Sequence, residues 1–277
     1  FSARFGTGAA VTRITDTFAR LRGEKRTAFV PFLMAGDPDS ATSETLLHAL
    51  PEAGADLIEI GFPFTDPMAD GPTIAEAGQR ALKAGQTLRK TLDMVRRFRE
   101  AGHQTPTILM GYANPVLSFG EGFSAAAREA GADGLILVDL PPEESGPLEG
   151  SARAAGLDLI RLATPTTGER RIGQVLRGAS GFLYYVAVAG VTGDRSAAEG
   201  DLAQAITRLR AHTDLPIAAG FGIKDAASAA AAAVHADAVV VGSAIVKTLA
   251  LEGVDAAVAL ARALAKATHD ARPAAEF

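Results

Sequence analysis

Short apolar segments alternate with longer amphipathic segments along almost the whole chain. Eight apolar segments have the length of a strand and are too short to form helices. They are residues 29–35, 56–61, 107–112, 135–139, 158–163, 182–188, 217–220 and 238–242. The segments between them are rich in alanine and long enough for helices, and several end in an Ala-Gly pair, where glycine suits the left-handed C-cap position. The pattern therefore predicts a repeated β–α unit.

Eight such units indicate a single closed (β/α)8 barrel, the TIM-barrel architecture, which takes about 250 residues. An open, doubly wound α/β sheet is the alternative, but it requires a topological switch point and usually has fewer strands. Phe18 and Leu21 could face inward from a short helix before the first strand, so we expect an extra N-terminal helix under the barrel. We assign residues 16–277 to the barrel and residues 1–15 to a leader. A disordered leader fits that segment better than the remnant of a targeting peptide, because it has no apolar secretory core.

The composition narrows the range of functions. The chain has 277 residues, 48% of them apolar, which suits one large domain with a sizeable core. A net charge of −5 predicts no general affinity for nucleic acid or anionic membranes. There is no cysteine, which excludes disulfides, thiolate catalysis and zinc bound by cysteine, and which is consistent with the cytoplasm, a reducing compartment.

The second apolar segment carries a glutamate near its end. Side chains alternate across a strand, so Ile58 and Ile60 share one face while Glu59 lies on the other. In a barrel the isoleucines would pack against helices, and Glu59 would point into the interior. Loss of hydration there raises the pKa of a carboxyl group toward the range useful for proton transfer. The structural alternative is an ion pair with arginine, but Arg161 is the only basic residue in a predicted strand.

A long loop with three prolines and two acids follows this strand and ends in Asp70-Gly71-Pro72. By itself, Asp70 is as typical of a turn as of a functional site. The segment from Ile58 to Ile74, IEIGFPFTDPMADGPTI, resembles the signature of the tryptophan synthase alpha chain family. The resemblance extends over nearly the whole chain from about residue 16. It includes the motifs FVPF at 29–32, GDP at 36–38, MGYANP at 110–115, GVTG at 190–193, GFGI at 220–223 and GSAIVK at 242–247.

This resemblance implies a carbon–carbon lyase of tryptophan biosynthesis. Such an enzyme cleaves indole-3-glycerol phosphate to indole and D-glyceraldehyde 3-phosphate and needs no cofactor of its own. By the same resemblance, Glu59 shuttles protons at the substrate's C3′ hydroxyl and at indole C3, and Asp70 accepts a hydrogen bond from the indole N–H. Tyr184 and Tyr185 point to opposite faces of the sixth predicted strand, and the resemblance selects Tyr184 as the neighbour of Glu59.

The resemblance further implies a partner, a β chain carrying pyridoxal phosphate, in an α2β2 heterotetramer. Pro63, Asp66 and Asn114 match places where the family contacts that partner.

Glycines at the ends of the last two predicted strands indicate a phosphate site. Barrels often bind phosphate there, with backbone N–H groups and a helix N-terminus. We expect Phe32 to contact the substrate as well, and we expect a loop after the sixth strand to close over it. The candidate substrate and phosphate residues are Phe32, Thr192, Gly193, Gly220, Phe221, Gly222, Gly242 and Ser243.

Other chemistries of this fold are disfavoured. No lysine lies in a predicted strand, which argues against a Schiff base, and the five histidines fall at the wrong end of the barrel for a catalytic metal. Three alternatives stay open. The first is another phosphate-binding barrel enzyme, such as a sugar-phosphate isomerase, although the loop ending in Asp70 argues against it. The second is a regulatory subunit without catalysis, and the third is a free-standing lyase that releases indole without a partner.

Overall fold

The computed structural model describes residues 12–186, 195–220 and 222–271. Within these ranges the strands form one sheet in which all the paired neighbours are parallel. The strands are β1 (Ala28–Met34), β2 (Ile58–Gly61), β3 (Thr107–Gly111), β4 (Gly134–Leu137), β5 (Asp158–Leu159), β6 (Arg161–Ala163), β7 (Leu183–Val186), β8 (Ile217–Gly220) and β9 (Ala238–Val241). Their order is β5-β4-β3-β2-β1-β9-β8-β7-β6.

The sheet closes on itself because its two end strands belong to one extended segment. β5 pairs with β4, β6 pairs with β7, and only Ile160 separates β5 from β6. The Ile160 N–H donates to the Leu135 carbonyl of β4 at 3.0 Å, so this residue continues the ladder. The eight predicted strands are therefore all present, and the fifth is divided in two. The predicted (β/α)8 barrel is confirmed, and the open-sheet alternative is wrong.

Helices follow the strands and cover the outside of the barrel. They are α1 (Arg13–Gly23), α2 (Ser40–Ala49), α3 (Pro72–Lys83), α4 (Leu88–Glu100), α5 (Ala113–Phe119), α6 (Phe123–Ala130), α7 (Gly146–Ala155), α8 (Glu169–Val175), α9 (Arg195–Arg210), α10 (Ala226–Ala233), α11 (Ser243–Glu252) and α12 (Val254–Asp270), with a short 3-10 turn at Pro142–Glu144. None of them is both long and apolar enough to cross a membrane within the described ranges.

The α4 helix shows how local sequence determines these elements. The Thr87 side chain caps its first turn, and Leu88, Leu92 and Val95 recur at the spacing of one helix face and are buried. Burying a large aliphatic side chain contributes about 1.5–3 kcal/mol, so this face holds the helix against the sheet.

Alternation along the strands divides the core into an inner and an outer part. Ile58 and Ile60 pack outward in the layer beneath the helices, as the sequence predicts. Inward positions form a separate cluster inside the barrel, whose strand members are Ala28, Val30, Ile108, Ile136, Tyr184, Ala218, Ala238 and Val240. The strand period of two therefore determines which side chains can reach the barrel interior.

Helix α1 closes the lower end of the barrel. Ile14, Phe18 and Leu21 are buried and belong to the interior cluster, and the Phe18 and Phe182 rings lie 5.7 Å apart. The helix begins at Arg13, capped by the Thr12 side chain, so it starts before residue 16. The predicted boundary of the leader is therefore too late, because Ile14 anchors the first turn in the core. Residues 1–11 lie outside the described residues.

Aspartates next to the lower ends of three strands reinforce the same end. Asp56, Asp133 and Asp237 each accept a backbone N–H at the start of the preceding strand in the barrel, and each also pairs with an arginine. The backbone donors are Phe29 (2.9 Å), Thr107 (2.9 Å) and Ile217 (2.7 Å), and the closest arginine contacts are Arg26 (2.7 Å), Arg99 (2.6 Å) and Arg210 (3.2 Å). We call these three side chains the floor aspartates. Their charges are compensated by several partners each, which is what a buried charge requires.

Candidate active site

Glu59 lies inside the barrel, on β2, with 1% of its surface exposed. It is in register with Phe32 of β1 and Ile108 of β3. Its Oε1 atom has no hydrogen-bond partner among the described residues. Burial raises the pKa of this carboxyl group to about 8, because no nearby cation offsets the loss of hydration. At neutral pH the group is mainly protonated, yet its pKa is close enough to neutrality for it both to give and to take a proton.

Tyr184 lies close to Glu59 and is 8% exposed. Burial, with the nearby Glu59 charge as the second cause, raises the pKa of its hydroxyl, which therefore stays protonated. Its neighbour Tyr185 packs in the outer layer, as predicted. Gly220 makes room for the Tyr184 hydroxyl, since a Cβ atom at that position would lie 2.3 Å from the Tyr184 oxygen.

Asp70 lies in the loop between β2 and α3 and is partly buried. Burial raises the pKa of its carboxyl group to about 6, and a hydrogen bond from the Tyr112 hydroxyl opposes that rise. The loop ends immediately afterwards, since Gly71 is the N-cap of α3 and Pro72 occupies its first turn. The second carboxyl group of the site is thus ionised at neutral pH, whereas Glu59 is mainly protonated.

Apolar side chains surround the upper opening of the barrel. Met110, Val138, Leu162 and Val186 lie near the carboxyl ends of their strands, are partly exposed, and pack against the interior cluster. Phe32 joins them from β1, where its ring occupies the space that a side chain at Gly61 would fill. Of these five residues, only Phe32 was predicted from the sequence. The strand alternation could have identified the others, because each lies two residues beyond a buried inward position.

The helix N-termini that follow β8 and β9 differ. Helix α10 is capped by Asp225, which accepts the Ser228 N–H at 2.8 Å in a capping box. Helix α11 begins after Gly242 without any side-chain cap, and its first residue, Ser243, is exposed. Uncapped N–H groups and the helix dipole favour an anion at α11. The neighbouring Gly222 adopts a left-handed backbone, with φ at +75°.

Three predicted substrate residues, Thr192, Gly193 and Phe221, lie outside the described residues. Among the described residues no group of three or more histidine, aspartate or glutamate side chains is arranged to hold a metal ion.

The predicted partner residues fall in two adjacent segments. Asp66 and Asn114 are exposed, whereas Pro63 is buried and shapes the loop from within. Two hydrophobic side chains of the same segments are strongly exposed, Met68 at 79% and Leu117 at 76%. Neither residue was predicted from the sequence, because the exposure of one apolar side chain in a loop or on a short helix has no periodic signal.

The chain is similar to known proteins over most of its length. The profile described as "Tryptophan synthase alpha chain" matches residues 18–274. The chain belongs to the tryptophan synthase alpha chain family. The alpha chain of Caulobacter sp. (strain K31) is 57% identical over 267 residues, covering 94% of this chain and 97% of the relative. That of Caulobacter vibrioides (strain NA1000 / CB15N) is 58% identical over 235 residues, covering 84% of this chain and 86% of the relative.

Solved structures agree with the family. Tryptophan synthase subunit alpha from Legionella pneumophila superposes with a TM-score of 0.88 at 38% identity, over 94% of this chain and 99% of that one. A chain of tryptophan synthase from M. tuberculosis, in an aminoacrylate-bound form, gives 0.84 at 35% identity, over 94% of this chain and 100% of that one. As a tryptophan synthase alpha chain, the protein is a lyase subunit of tryptophan biosynthesis, and cleavage of indole-3-glycerol phosphate is the reaction of its family.

Proposed function

We propose that Glu59, Asp70 and Tyr184 carry out the cleavage of indole-3-glycerol phosphate in this chain. The observation that carries the proposal is Glu59, a carboxyl group without a countercharge at the base of an apolar opening. An indole ring suits such an opening, and a carboxyl group with a pKa of about 8 can exchange protons with it.

The chemistry needs one proton at indole C3 and the removal of another from the C3′ hydroxyl. Protonated Glu59 gives its proton to C3, and ionised Asp70 stabilises the positive charge that develops on the ring by accepting the ring N–H. Glu59, now a carboxylate, takes the hydroxyl proton as the carbon–carbon bond breaks. The bond electrons restore the aromatic ring, the aldehyde forms, and Glu59 regains its starting state. Tyr184 stays protonated and donates a hydrogen bond to the reacting oxygen beside Glu59.

The phosphate of the substrate binds at the N-terminus of α11 in this proposal. Gly242 and Ser243 supply backbone N–H groups, and the absence of a side-chain cap leaves them available to an anion. Gly220 and Gly222 line the same region, and Phe32 packs against the indole ring. The binding site then spans the opening, with the ring above Glu59 and the phosphate at the end of β9.

The proposal includes a β-chain partner carrying pyridoxal phosphate, in a cytoplasmic α2β2 complex. Asp66 and Asn114 lie at the surface, with the exposed Met68 and Leu117 in the same two segments. Exposed apolar side chains rimmed by polar residues are typical of a protein interface. Indole released at the opening would then pass to the partner.

The first experiment measures indole release from indole-3-glycerol phosphate by the purified chain, with and without an added tryptophan synthase β chain. We expect slow release alone and a sharp increase with the β chain. Fast release that ignores the β chain would remove the partner from the proposal. No release under either condition would overturn the assignment of the reaction to this chain.

A further inference from the structure

Tyr112 lies at the carboxyl end of β3, where it is the N-cap residue of α5, and it is buried. It contacts three residues of the loop between β2 and α3. Its ring packs against Phe64, with centroids 5.3 Å apart. Its hydroxyl oxygen accepts the Ala69 N–H at 3.0 Å. Asp70 follows Ala69 directly in the chain, and the Tyr112 hydroxyl lowers the pKa of its carboxyl group by hydrogen bonding, against the effect of burial.

The directions of these two hydrogen bonds are fixed by chemistry. A phenol has one proton to donate, and the Ala69 N–H can only be a donor. The Tyr112 oxygen therefore accepts from Ala69, and its proton points to Asp70. A hydroxyl held from behind by a backbone N–H is oriented before any ligand arrives, and it restricts where the carboxylate can lie.

We propose that Tyr112 is a positioning residue for Asp70, fixing the loop segment Phe64–Asp70 that carries this carboxylate. The inference rests on the proposed function, because it assigns a task to Asp70. It concerns a side chain on a different strand that acts on the reaction through Asp70. Burial would otherwise favour the neutral acid, which cannot stabilise a positive indole ring, so the hydrogen bond keeps the reactive form populated.

The effect on pH dependence has a definite sign. Two causes act on the pKa of Asp70, burial raising it and the Tyr112 hydroxyl lowering it, and together they give a pKa of about 6. Removing the hydroxyl leaves burial unopposed, so the pKa of Asp70 rises. The acid limb of the pH profile for indole release must then move to higher pH.

The test compares Tyr112→Phe with Tyr185→Phe, which also removes a buried tyrosine hydroxyl but belongs to the outer layer away from Asp70. For Tyr112→Phe we expect kcat to fall about tenfold at neutral pH, KM to stay within about twofold, and the acid limb to shift upward by about one unit, which corresponds to one charge-assisted hydrogen bond. Tyr185→Phe should change none of these. Unchanged kcat and pH profile in Tyr112→Phe would overturn the proposal.

A double-mutant cycle separates positioning from general structural damage. In an Asp70→Asn background, Tyr112→Phe should cost little further activity, because the group on which it acts is gone. A full additional loss would show that Tyr112 acts independently of Asp70.

A second measurement needs neither substrate nor variant. In the wild-type chain, the carbon NMR resonance of the Tyr112 ring carbon that bears the hydroxyl should titrate with the midpoint of the Asp70 carboxyl carbon. Independent midpoints would overturn the proposal even if the wild-type chain cleaves indole-3-glycerol phosphate. Common midpoints in a chain that releases no indole would support the contact while contradicting the proposed function.

Discussion

The floor aspartates and Glu59 are carboxyl groups of one barrel with opposite surroundings. At the lower end, each floor aspartate is held by a backbone N–H and by arginine. At the upper end, Glu59 is more deeply buried than Asp56, yet its Oε1 atom has no hydrogen-bond partner among the described residues. A carboxylate with such partners supports the fold. A buried carboxyl group without them has a raised pKa that suits proton transfer, and its ionisation lowers stability. Burial alone therefore does not distinguish structural from functional carboxyl groups, whereas the partners do.

The largest effect should come from Glu59→Gln, which keeps the shape and removes the proton exchange. We expect indole release to fall about a thousandfold, the middle of the range for losing a general acid–base group, with phosphate binding nearly intact. Activity and the binding of glycerol 3-phosphate would be measured beside Glu52→Gln, an exposed glutamate of the turn after α2. A parallel loss of binding would mean that Glu59 is structural, like the floor aspartates.

Asp70→Asn should lower turnover about a hundredfold, because the hydrogen bond to the indole N–H strengthens as positive charge develops. KM should change little, since the bond is weaker in the ground state. Asp66→Asn, in the same loop but exposed, is the matched control in the isolated chain. Normal turnover of Asp70→Asn would remove this residue from the mechanism.

Asp133→Asn should lower stability and leave turnover unchanged, the reverse of what we expect for Asp70→Asn. Asp133 is fully buried and contacts Arg13, Arg99 and Arg128, so neutralising it leaves buried positive charge unpaired. The free energy of unfolding should fall by about 3–5 kcal/mol, while kcat of the folded fraction stays unchanged. Chemical denaturation and steady-state kinetics on the same preparation would measure both. A loss of kcat without a loss of stability would remove the distinction between the floor aspartates and Glu59.

The smallest effect is a pH slope of stability caused by Glu59. Its pKa is 4.5 when unfolded and about 8 when folded, so the folded state holds the extra proton between these values. Its stabilising contribution is complete below pH 4.5 and is lost as pH rises to about 8, at up to roughly 1 kcal/mol per pH unit. Glu59→Gln should remove this slope and be the more stable protein near pH 8. Identical pH profiles of unfolding would show that Glu59 titrates normally.

Much of the barrel was predictable because a buried parallel strand is a local pattern. Alternation placed Glu59 inside and Ile58 outside, and it put Tyr184 and Tyr185 on opposite faces, but the family resemblance was needed to select Tyr184 as the inward one. The predicted boundary at residue 16 lies after the true start of α1. Thr12 precedes the amphipathic pattern, and its role as the N-cap is evident only once Ile14 is known to be buried. The division of the fifth strand at Ile160 leaves no trace in the sequence, since that residue continues the apolar run.

The parts of the site that depend on loop packing were harder to predict. In the sequence, Tyr112 is an ordinary residue at the end of a strand. Its role depends on the loop carrying Asp70, which folds back onto it. Met68 and Leu117 are separated by about fifty residues in the chain. Gly242 was predicted because it ends the last strand of the barrel, where backbone N–H groups often bind phosphate. Only the structure shows that the neighbouring helix α10 is capped by its own Asp225.

Helix α1 leaves the barrel interior with one entrance, at the upper end. Because Ile14, Phe18 and Leu21 close the lower end, a substrate that reaches Glu59 enters through the upper opening, and its product leaves by the same route. A ligand bound in this opening also separates the Glu59 carboxyl group from solvent for as long as it is bound. The proton that restores Glu59 after the carbon–carbon bond breaks then comes from the ligand itself, as the proposed reaction requires.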